Sequence, residues 1–104
     1  MNSKIKSGLR TTARRLWLYY SEERKLCIAN SKNGKLYKCN ICKICYKLKE
    51  MAVDHLIPCG KFNSFIGFGY WLERLFCSVD NLQLVCHQCH AEKTIIDKRE
   101  MNGN

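Results

Sequence analysis

The chain has 104 residues, and its 18 Lys and Arg residues outnumber its 9 Asp and Glu residues to give a formal net charge of +9. We expect one domain and little more at this length, with a modest core to which a metal cross-link would be useful. The charge makes polyanions the expected partners, with nucleic acid ahead of an acidic membrane surface. No apolar run is long enough to span a membrane or resembles a signal peptide, so we expect a cytoplasmic protein with reduced thiols and no membrane partner.

The first part of the chain predicts two basic helices with a bend between them. Apolar residues recur at helical spacing from Leu9 to about Ala29, and the arginines lie mostly off this stripe. The tripeptide Ser21-Glu22-Glu23 is typical of a new helix start. Residues 1–8 are polar and are expected to be loose, whereas Asn33-Gly34 is typical of a turn.

The remainder predicts short strands and two further helices. Residues 51–57 alternate in polarity and end at Pro58, which is typical of a strand, and residues 82–85 predict a second strand. Helices are expected over 70–76, inside an aromatic-rich segment that we interpret as a small core, and over 90–98. The end of the chain, 101–104, is expected to fray. The order predicts an α+β fold with an N-terminal helix, an inserted helix and two strands packed on a helix.

Four cysteines form two Cys-x-x-Cys pairs, Cys39 with Cys42 and Cys86 with Cys89. This spacing allows both thiolates of a pair to reach one ion, and Zn²⁺ accepts four sulfur ligands in tetrahedral geometry. The pairs therefore predict a structural zinc knuckle whose binding energy becomes folding energy. Ordinary buried cysteines are the alternative interpretation. Cys45 adds an overlapping Cys-x-x-Cys pair, so the identity of one ligand in the first pair stays open.

Four polar residues lie between or beside these pairs: Asp54, His55, Asn81 and His90. Hydrolysis of a phosphodiester needs a base that activates water and a divalent ion that stabilises the developing charge. Asp54 and His55 are adjacent on a predicted strand, so one can bind metal while the other faces another part of the site. His90 begins the last predicted helix. Asn81 precedes the second strand, where its amide would hold the loop backbone or orient His55.

Basic residues are densest in the predicted N-terminal helices. A charge run is usually a solvated face, but a net charge of +9 favours contacts with the phosphate backbone. Such contacts supply affinity rather than sequence selectivity. We expect DNA contacts from four residues: Arg10, Arg14, Arg15 and Lys93.

Four segments of the chain resemble the HNH endonuclease family, most closely its small single-domain members from bacteriophages. The resemblance covers roughly residues 36–96, and the four motifs follow one another in the family's order. The segments are Tyr37–Cys42, Val53–Pro58, Asp80–Cys86 and Cys89–Thr94.

This resemblance implies a ββα-metal unit, also called a His-Me finger, in an HNH nuclease domain over 36–100. A basic helical lead-in over 1–35 would belong to the same compact domain. His55 would be the general base, and Asp54 and His90 would hold a catalytic Mg²⁺ or similar ion. The other implied site residues are Asn81, in an orienting role, and the zinc ligands Cys39, Cys42, Cys86 and Cys89.

The implied activity is metal-dependent hydrolysis of DNA by nicking or cutting the duplex, in the host cytoplasm if a phage encodes the protein. Phage packaging proteins or host DNA-processing proteins are the expected protein partners, and a dimer is one way for so small a nuclease to cut both strands. The alternative is a non-catalytic, zinc-stabilised module that binds nucleic acid or a protein partner.

Overall fold

A computed structural model describes residues 1–102 and the side chains of residues 1–100. The chain begins with two helices, α1 (Ser3–Tyr20) and α2 (Glu22–Asn30). The Asn2 side chain caps α1 by accepting the backbone N–H groups of Lys4 and Ile5, so the helix starts within the segment that we expected to be loose. Ser21 separates the helices. Its N–H donates to the Trp17 carbonyl at the end of α1, and its hydroxyl accepts the N–H of Arg24 and so caps α2.

Three short strands follow, β1 (Lys32–Asn33), β2 (Leu36–Lys38) and β3 (Cys45–Tyr46), which form an antiparallel sheet in the order β1-β2-β3. From the sequence we expected only a turn and a knuckle in this segment. Gly34 turns the chain between β1 and β2 with a φ of 66°, a left-handed value that glycine adopts without strain.

The second sheet contains β4 (Met51–His55) and β5 (Leu82–Cys86), paired antiparallel from Met51 opposite Cys86 to His55 opposite Leu82. Helix α4 (His87–Asn102) follows β5 directly. Strand β4 ends two residues earlier than predicted, because the next backbone N–H groups bond to Asn81 instead of continuing the ladder. Helix α4 begins earlier than predicted and continues through Asn102. The expected fraying of the last two residues lies outside the described part of the chain.

Helix α3 (Phe65–Leu75) lies in the connection between β4 and β5 and begins before the predicted segment, because the Ser64 hydroxyl caps it at Gly67. Trp71 and Leu75 are fully buried, and the Trp71 ring packs against Phe62 and Phe68. The aromatic segment therefore does contribute to the core. That core also takes Ala13 and Trp17 from α1 together with residues of both long strands. The fold is α+β with four helices, as predicted.

In the part of the chain that the structure describes, no helix combines the length and the apolar character required to cross a membrane.

Candidate metal cluster and cationic cleft

The structure brings together the four cysteines of the two predicted pairs. The sulfur atoms of Cys39, Cys42, Cys86 and Cys89 all lie within 4.8 Å of one another. Four sulfurs placed about 2.3 Å from a central zinc ion are separated by about 3.8 Å, so a small contraction would complete a tetrahedral site. The first pair comes from the turn after β2, and the second pair from the end of β5 and the first turn of α4. The four cysteines could therefore hold a structural metal ion such as zinc.

The electrostatics of this cluster favour a cation. Burial acts to raise the pKa of Cys39, but backbone N–H groups, including those of Cys86 and Cys42, outweigh it and lower that pKa to about 6. A hydrogen bond with the Cys86 sulfur, together with burial, raises the pKa of Cys89 to about 12. Four thiolates within 4.8 Å of one another would repel, and a bound cation would neutralise that repulsion.

Cys45 is not a member of the group of four sulfurs. Its sulfur instead accepts a hydrogen bond from the Asn33 side chain at 3.4 Å. Lys43, which follows the first pair, has a φ of 66° and donates its N–H to the Cys39 carbonyl. A non-glycine residue in this left-handed region costs roughly 1–2 kcal/mol, so Lys43 is a strained part of the knuckle. The ambiguity over the first pair is settled in favour of Cys39 and Cys42 as the grouped sulfurs.

His55 is held at the end of β4 with one defined tautomer. Its Nε2 atom lies 2.9 Å from the Leu75 carbonyl oxygen, and its ring packs against Trp17 with 4.8 Å between ring centroids. A carbonyl only accepts hydrogen bonds, so Nε2 carries the hydrogen and Nδ1 carries the lone pair in the neutral ring. Burial lowers the pKa of His55 below its usual value, and Arg14 adds to this effect. The ring is therefore a neutral base at pH 7.

Asp54 uses its two carboxylate oxygens differently. Its Oδ2 atom accepts a hydrogen bond from Gln83 at 3.0 Å and lies 3.2 Å from the Lys93 ammonium. Its Oδ1 atom lies 3.8 Å from Nε2 of His90. The Asp54 side chain is 10% exposed, so these contacts act with little screening by water. Oδ1 is thus the oxygen that faces the imidazole of α4.

Lys93 neutralises the buried carboxylate. Its ammonium contacts Asp54, the side chain of Asp97 one turn later in α4, and the backbone carbonyl of His55 at 3.0 Å. Burial opposes the charged form, but hydrogen bonds with Asp97 and Asp54 outweigh it and raise the pKa of Lys93. Lys93, which we predicted to contact DNA, is therefore already bonded to two carboxylates and a backbone carbonyl of the protein.

Asp54, His55 and His90 line one open cleft of about 560 Å³. Its wall carries four cationic side chains against two carboxylates, those of Asp54 and Asp97, so it has a cationic excess. The four cations are Arg14, Arg24, Lys61 and Lys98. Arg14 also lies over the Trp71 ring, and Arg10 lies over Phe62, each within 5.6 Å of the ring centroid. Among the predicted DNA contacts Arg14 lines this cleft, whereas Arg15 is exposed on α1 and is not among the lining residues.

Asn81 holds the loop that follows β4. Its Oδ1 accepts the N–H of Ile57 at 3.0 Å, its Nδ2 donates to the Ile57 carbonyl at 3.4 Å, and its own carbonyl accepts the N–H of Leu56 at 2.8 Å. Of the two roles considered for this side chain, the contacts correspond to the first, which is to hold the backbone. Asn81 would act on His55 only by fixing the chain just after it.

Three contacts of the site were not anticipated from the sequence. Gln83 lies opposite Asp54 in the β4–β5 register, and strand pairing from the sequence could have placed it there. Trp17 and the Leu75 carbonyl reach His55 from α1 and α3, and no local pattern signals those contacts.

Comparisons of the chain with protein-family models, with curated proteins and with solved structures find no match.

Proposed function

We propose that this protein is a metal-dependent endonuclease of the HNH type that hydrolyses phosphodiester bonds in DNA. The observation that carries the proposal is the convergence of Asp54, His55 and His90 on one cationic cleft. In this interpretation β4, β5 and α4 are the ββα-metal unit, and the four grouped cysteines bind its structural zinc.

His55 fits the role of general base. Nε2 is engaged by the Leu75 carbonyl, so Nδ1 is the nitrogen that would accept the proton of an attacking water. The lowered pKa keeps this nitrogen unprotonated at neutral pH. Trp17 and Leu75 fix the ring between them, so the base would be oriented before substrate binds.

Asp54 and His90 fit the role of ligands for a divalent ion. Adjacent ligands of an octahedral ion at about 2.1 Å lie about 3 Å apart. The 3.8 Å between Oδ1 of Asp54 and Nε2 of His90 approaches this value, and the His90 side chain is 41% exposed and free to adjust. An ion held by these two residues would stabilise charge on the phosphate and on the leaving oxygen. Two protein ligands would leave the remaining positions for water and phosphate oxygens.

The cationic wall fits a polyanionic substrate. Arg14, Lys61 and Lys98 line the cleft around the three central residues, where they would contact phosphates on either side of the reacting one. These contacts carry no base information, so we expect cleavage with weak sequence preference.

A plasmid cleavage assay tests the proposal. Purified protein is incubated with supercoiled plasmid and Mg²⁺, Mn²⁺ or Ni²⁺, and nicked and linear products are quantified. Loss of the base is expected to lower the rate by about 10²–10⁴-fold in His55→Ala. His87→Ala is the matched control, because His87 is an exposed imidazole at the start of α4. Absence of cleavage with every metal, or equal cleavage by His55→Ala, would refute the proposal.

The same variants evaluate the alternative, a non-catalytic zinc module. The grouped cysteines and the basic face of α1 would serve such a module equally well. If the protein is such a module, both His55→Ala and His90→Ala should still bind DNA, and the wild type should not cleave it. It offers no reason for a neutral, oriented imidazole beside a buried carboxylate, and the endonuclease is therefore the stronger proposal.

A further inference from the structure

A chain of three side-chain hydrogen bonds leads from the cysteine knuckle to Asp54. The Lys43 ammonium donates to Oδ1 of Asn40 at 3.4 Å, and Nδ2 of Asn40 donates to Oε1 of Gln83 at 2.7 Å. Nε2 of Gln83 then donates to Oδ2 of Asp54 at 3.0 Å. The two inner bonds are short, and Gln83 is buried, so they form the strong part of the chain.

The two charged ends fix the direction of every bond. A carboxylate only accepts hydrogen bonds and an ammonium only donates them. Gln83 must therefore turn its amide nitrogen towards Asp54 and its oxygen towards Asn40. Asn40 must in turn donate through its nitrogen and leave its oxygen for Lys43. One orientation of both amides satisfies all three contacts, so the chain specifies one arrangement.

Backbone contacts anchor this chain at both ends. Gln83 is the register partner of Asp54, so their side chains lie on the same face of the β4–β5 sheet. Asn40 lies between Cys39 and Cys42, and its backbone N–H donates to the Leu84 carbonyl at 2.9 Å. The amide of Asn40 is therefore positioned by the same turn that presents the first two sulfurs.

The chain of bonds determines which oxygen of Asp54 is available. Gln83 and Lys93 together occupy Oδ2, and Oδ1 is left facing His90. Without Gln83 the carboxylate could rotate and turn either oxygen towards Lys93. The ordering of one carboxylate oxygen next to an imidazole is what a divalent ion requires of its ligands.

We propose that Gln83 and Asn40 are positioning residues that hold Asp54 in its ion-binding orientation and so couple the divalent-ion site to the cysteine knuckle. The inference rests on the proposed function, because it takes Asp54 to be a ligand of the divalent ion. It assigns a purpose to two amides, Asn40 and Gln83, to which the sequence motifs gave no role.

Binding of Mn²⁺ to the zinc-loaded full chain tests this inference, measured by the electron paramagnetic resonance signal of free Mn²⁺. Gln83→Met keeps the length of the side chain and removes its donor, and Asn40→Ala breaks the chain at the knuckle. We expect the Mn²⁺ dissociation constant to rise about tenfold or more in Gln83→Met, and by a smaller factor in Asn40→Ala. Zinc content and melting temperature are measured in parallel.

Gln88→Met is the matched control, because Gln88 is an exposed glutamine of α4 beside the same cysteines whose side-chain partner is Glu92. Its Mn²⁺ affinity is expected to equal that of the wild type. The inference would be overturned if Gln83→Met bound Mn²⁺ as tightly as Gln88→Met does. It would also be overturned if the Mn²⁺ affinity of Gln83→Met fell only in proportion to a loss of zinc. If Gln83→Met does not fold, Asn40→Ala alone decides in the same way, with unchanged Mn²⁺ affinity overturning the inference.

Asp54→Ala separates this inference from the proposed function. If Asp54→Ala binds Mn²⁺ as the wild type does, or the wild type binds none, the divalent-ion site is refuted and the inference falls with it. If Asp54→Ala loses Mn²⁺ while Gln83→Met and Asn40→Ala keep it, only the inference is refuted.

Discussion

The cysteine cluster and the cationic cleft lie at opposite ends of the same two-stranded sheet and share helix α4, yet they balance charge in different ways. The cluster places four sulfurs within 4.8 Å of one another and contains no cationic side chain. The cleft places Lys93 against Asp54 and so carries its own counter-charge. In the proposed function the cluster would therefore need a bound cation for its stability, whereas the cleft would be stable without one and free to bind and release an ion.

The two regions also differ in access. The cluster is closed, with four sulfurs that could serve as ligands and three of the four cysteines buried. The cleft is an open cavity of about 560 Å³ in which the proposed function needs only two protein ligands, Asp54 and His90. Closed four-ligand sites are typical of structural metals, and open sites are typical of catalytic ones. In the proposed function the closed cluster would therefore serve folding, and the open cleft would serve catalysis.

The largest effect is expected from loss of a cluster sulfur. Structural zinc sites contribute on the order of 10–16 kcal/mol, which is comparable to the whole stability of a small domain of about 5–15 kcal/mol. Cys86→Ser should therefore lose its zinc and its cooperative thermal unfolding, as measured by circular dichroism and zinc stoichiometry. Cys45→Ser is the matched control and should retain both. A Cys86→Ser protein that melts like the wild type would contradict a structural role for the cluster.

The next largest effect is expected from removal of the counter-charge in the cleft. Lys93→Met leaves Asp54 and Asp97 without their shared cation, and loss of one partner of a buried ion pair costs roughly 3–5 kcal/mol. Urea denaturation should measure this loss. Added Mn²⁺ should restore part of it by replacing the missing charge. Lys98→Met, an exposed lysine on the same helix and cleft wall, should change little. Equal losses in both variants would show that the cleft needs no internal counter-charge.

A pH effect should distinguish the cleft from the cluster. The pKa of His55 is lowered in the folded state, so the unfolded chain binds its proton at a higher pH than the folded chain does. The stability that this ring contributes is then present above the unfolded pKa of about 6.5 and is lost as pH falls towards the folded value. Cleavage should decline over the same range, about tenfold per pH unit once the base is protonated.

Unfolding free energies of wild type and His55→Gln between pH 5 and pH 8 measure the stability part of this effect. The variant should have a shallower slope on the acidic side, and His87→Gln should keep the wild-type slope. Identical slopes in His55→Gln and the wild type would mean that burial does not perturb this imidazole.

The smallest effect is expected on the surface that leads to the cleft. Each phosphate contact contributes about 0.9 to the slope of log affinity against log salt concentration. Arg14→Ala should lower the magnitude of that slope by about 0.9, the contribution of one phosphate contact, because Arg14 lines the cleft. Its neighbour Arg15 is the matched control and should have a smaller effect. Fluorescence anisotropy with a short duplex in EDTA measures both slopes, and a larger effect of Arg15→Ala would place the DNA elsewhere.

Local patterns in the sequence predicted the two Cys-x-x-Cys pairs, the β4 and β5 strands, the four helices and the α+β class, but not the three-stranded β1-β2-β3 sheet. The Cys-x-x-Cys spacing is local, and two cysteines separated by two residues can direct both sulfurs to one ion. Strand and helix periodicity were equally local, so β5 and α3 were found with errors only at their ends. The errors at the starts of α1 and α3 came from their caps, Asn2 and Ser64, whose effect depends on the loop conformation before each helix.

The contacts that build the cleft depend on the tertiary structure. The Leu75 carbonyl that fixes the tautomer of His55 is 20 residues away, and the Lys93 ammonium that reaches the carbonyl of His55 is 38 residues away. Such contacts depend on how α1, α3 and α4 pack around β4, and side-chain periodicity specifies a buried face without specifying which helix covers it. For the same reason Asn81 could be placed beside the site from the sequence, whereas its bond to the backbone of Ile57 could not.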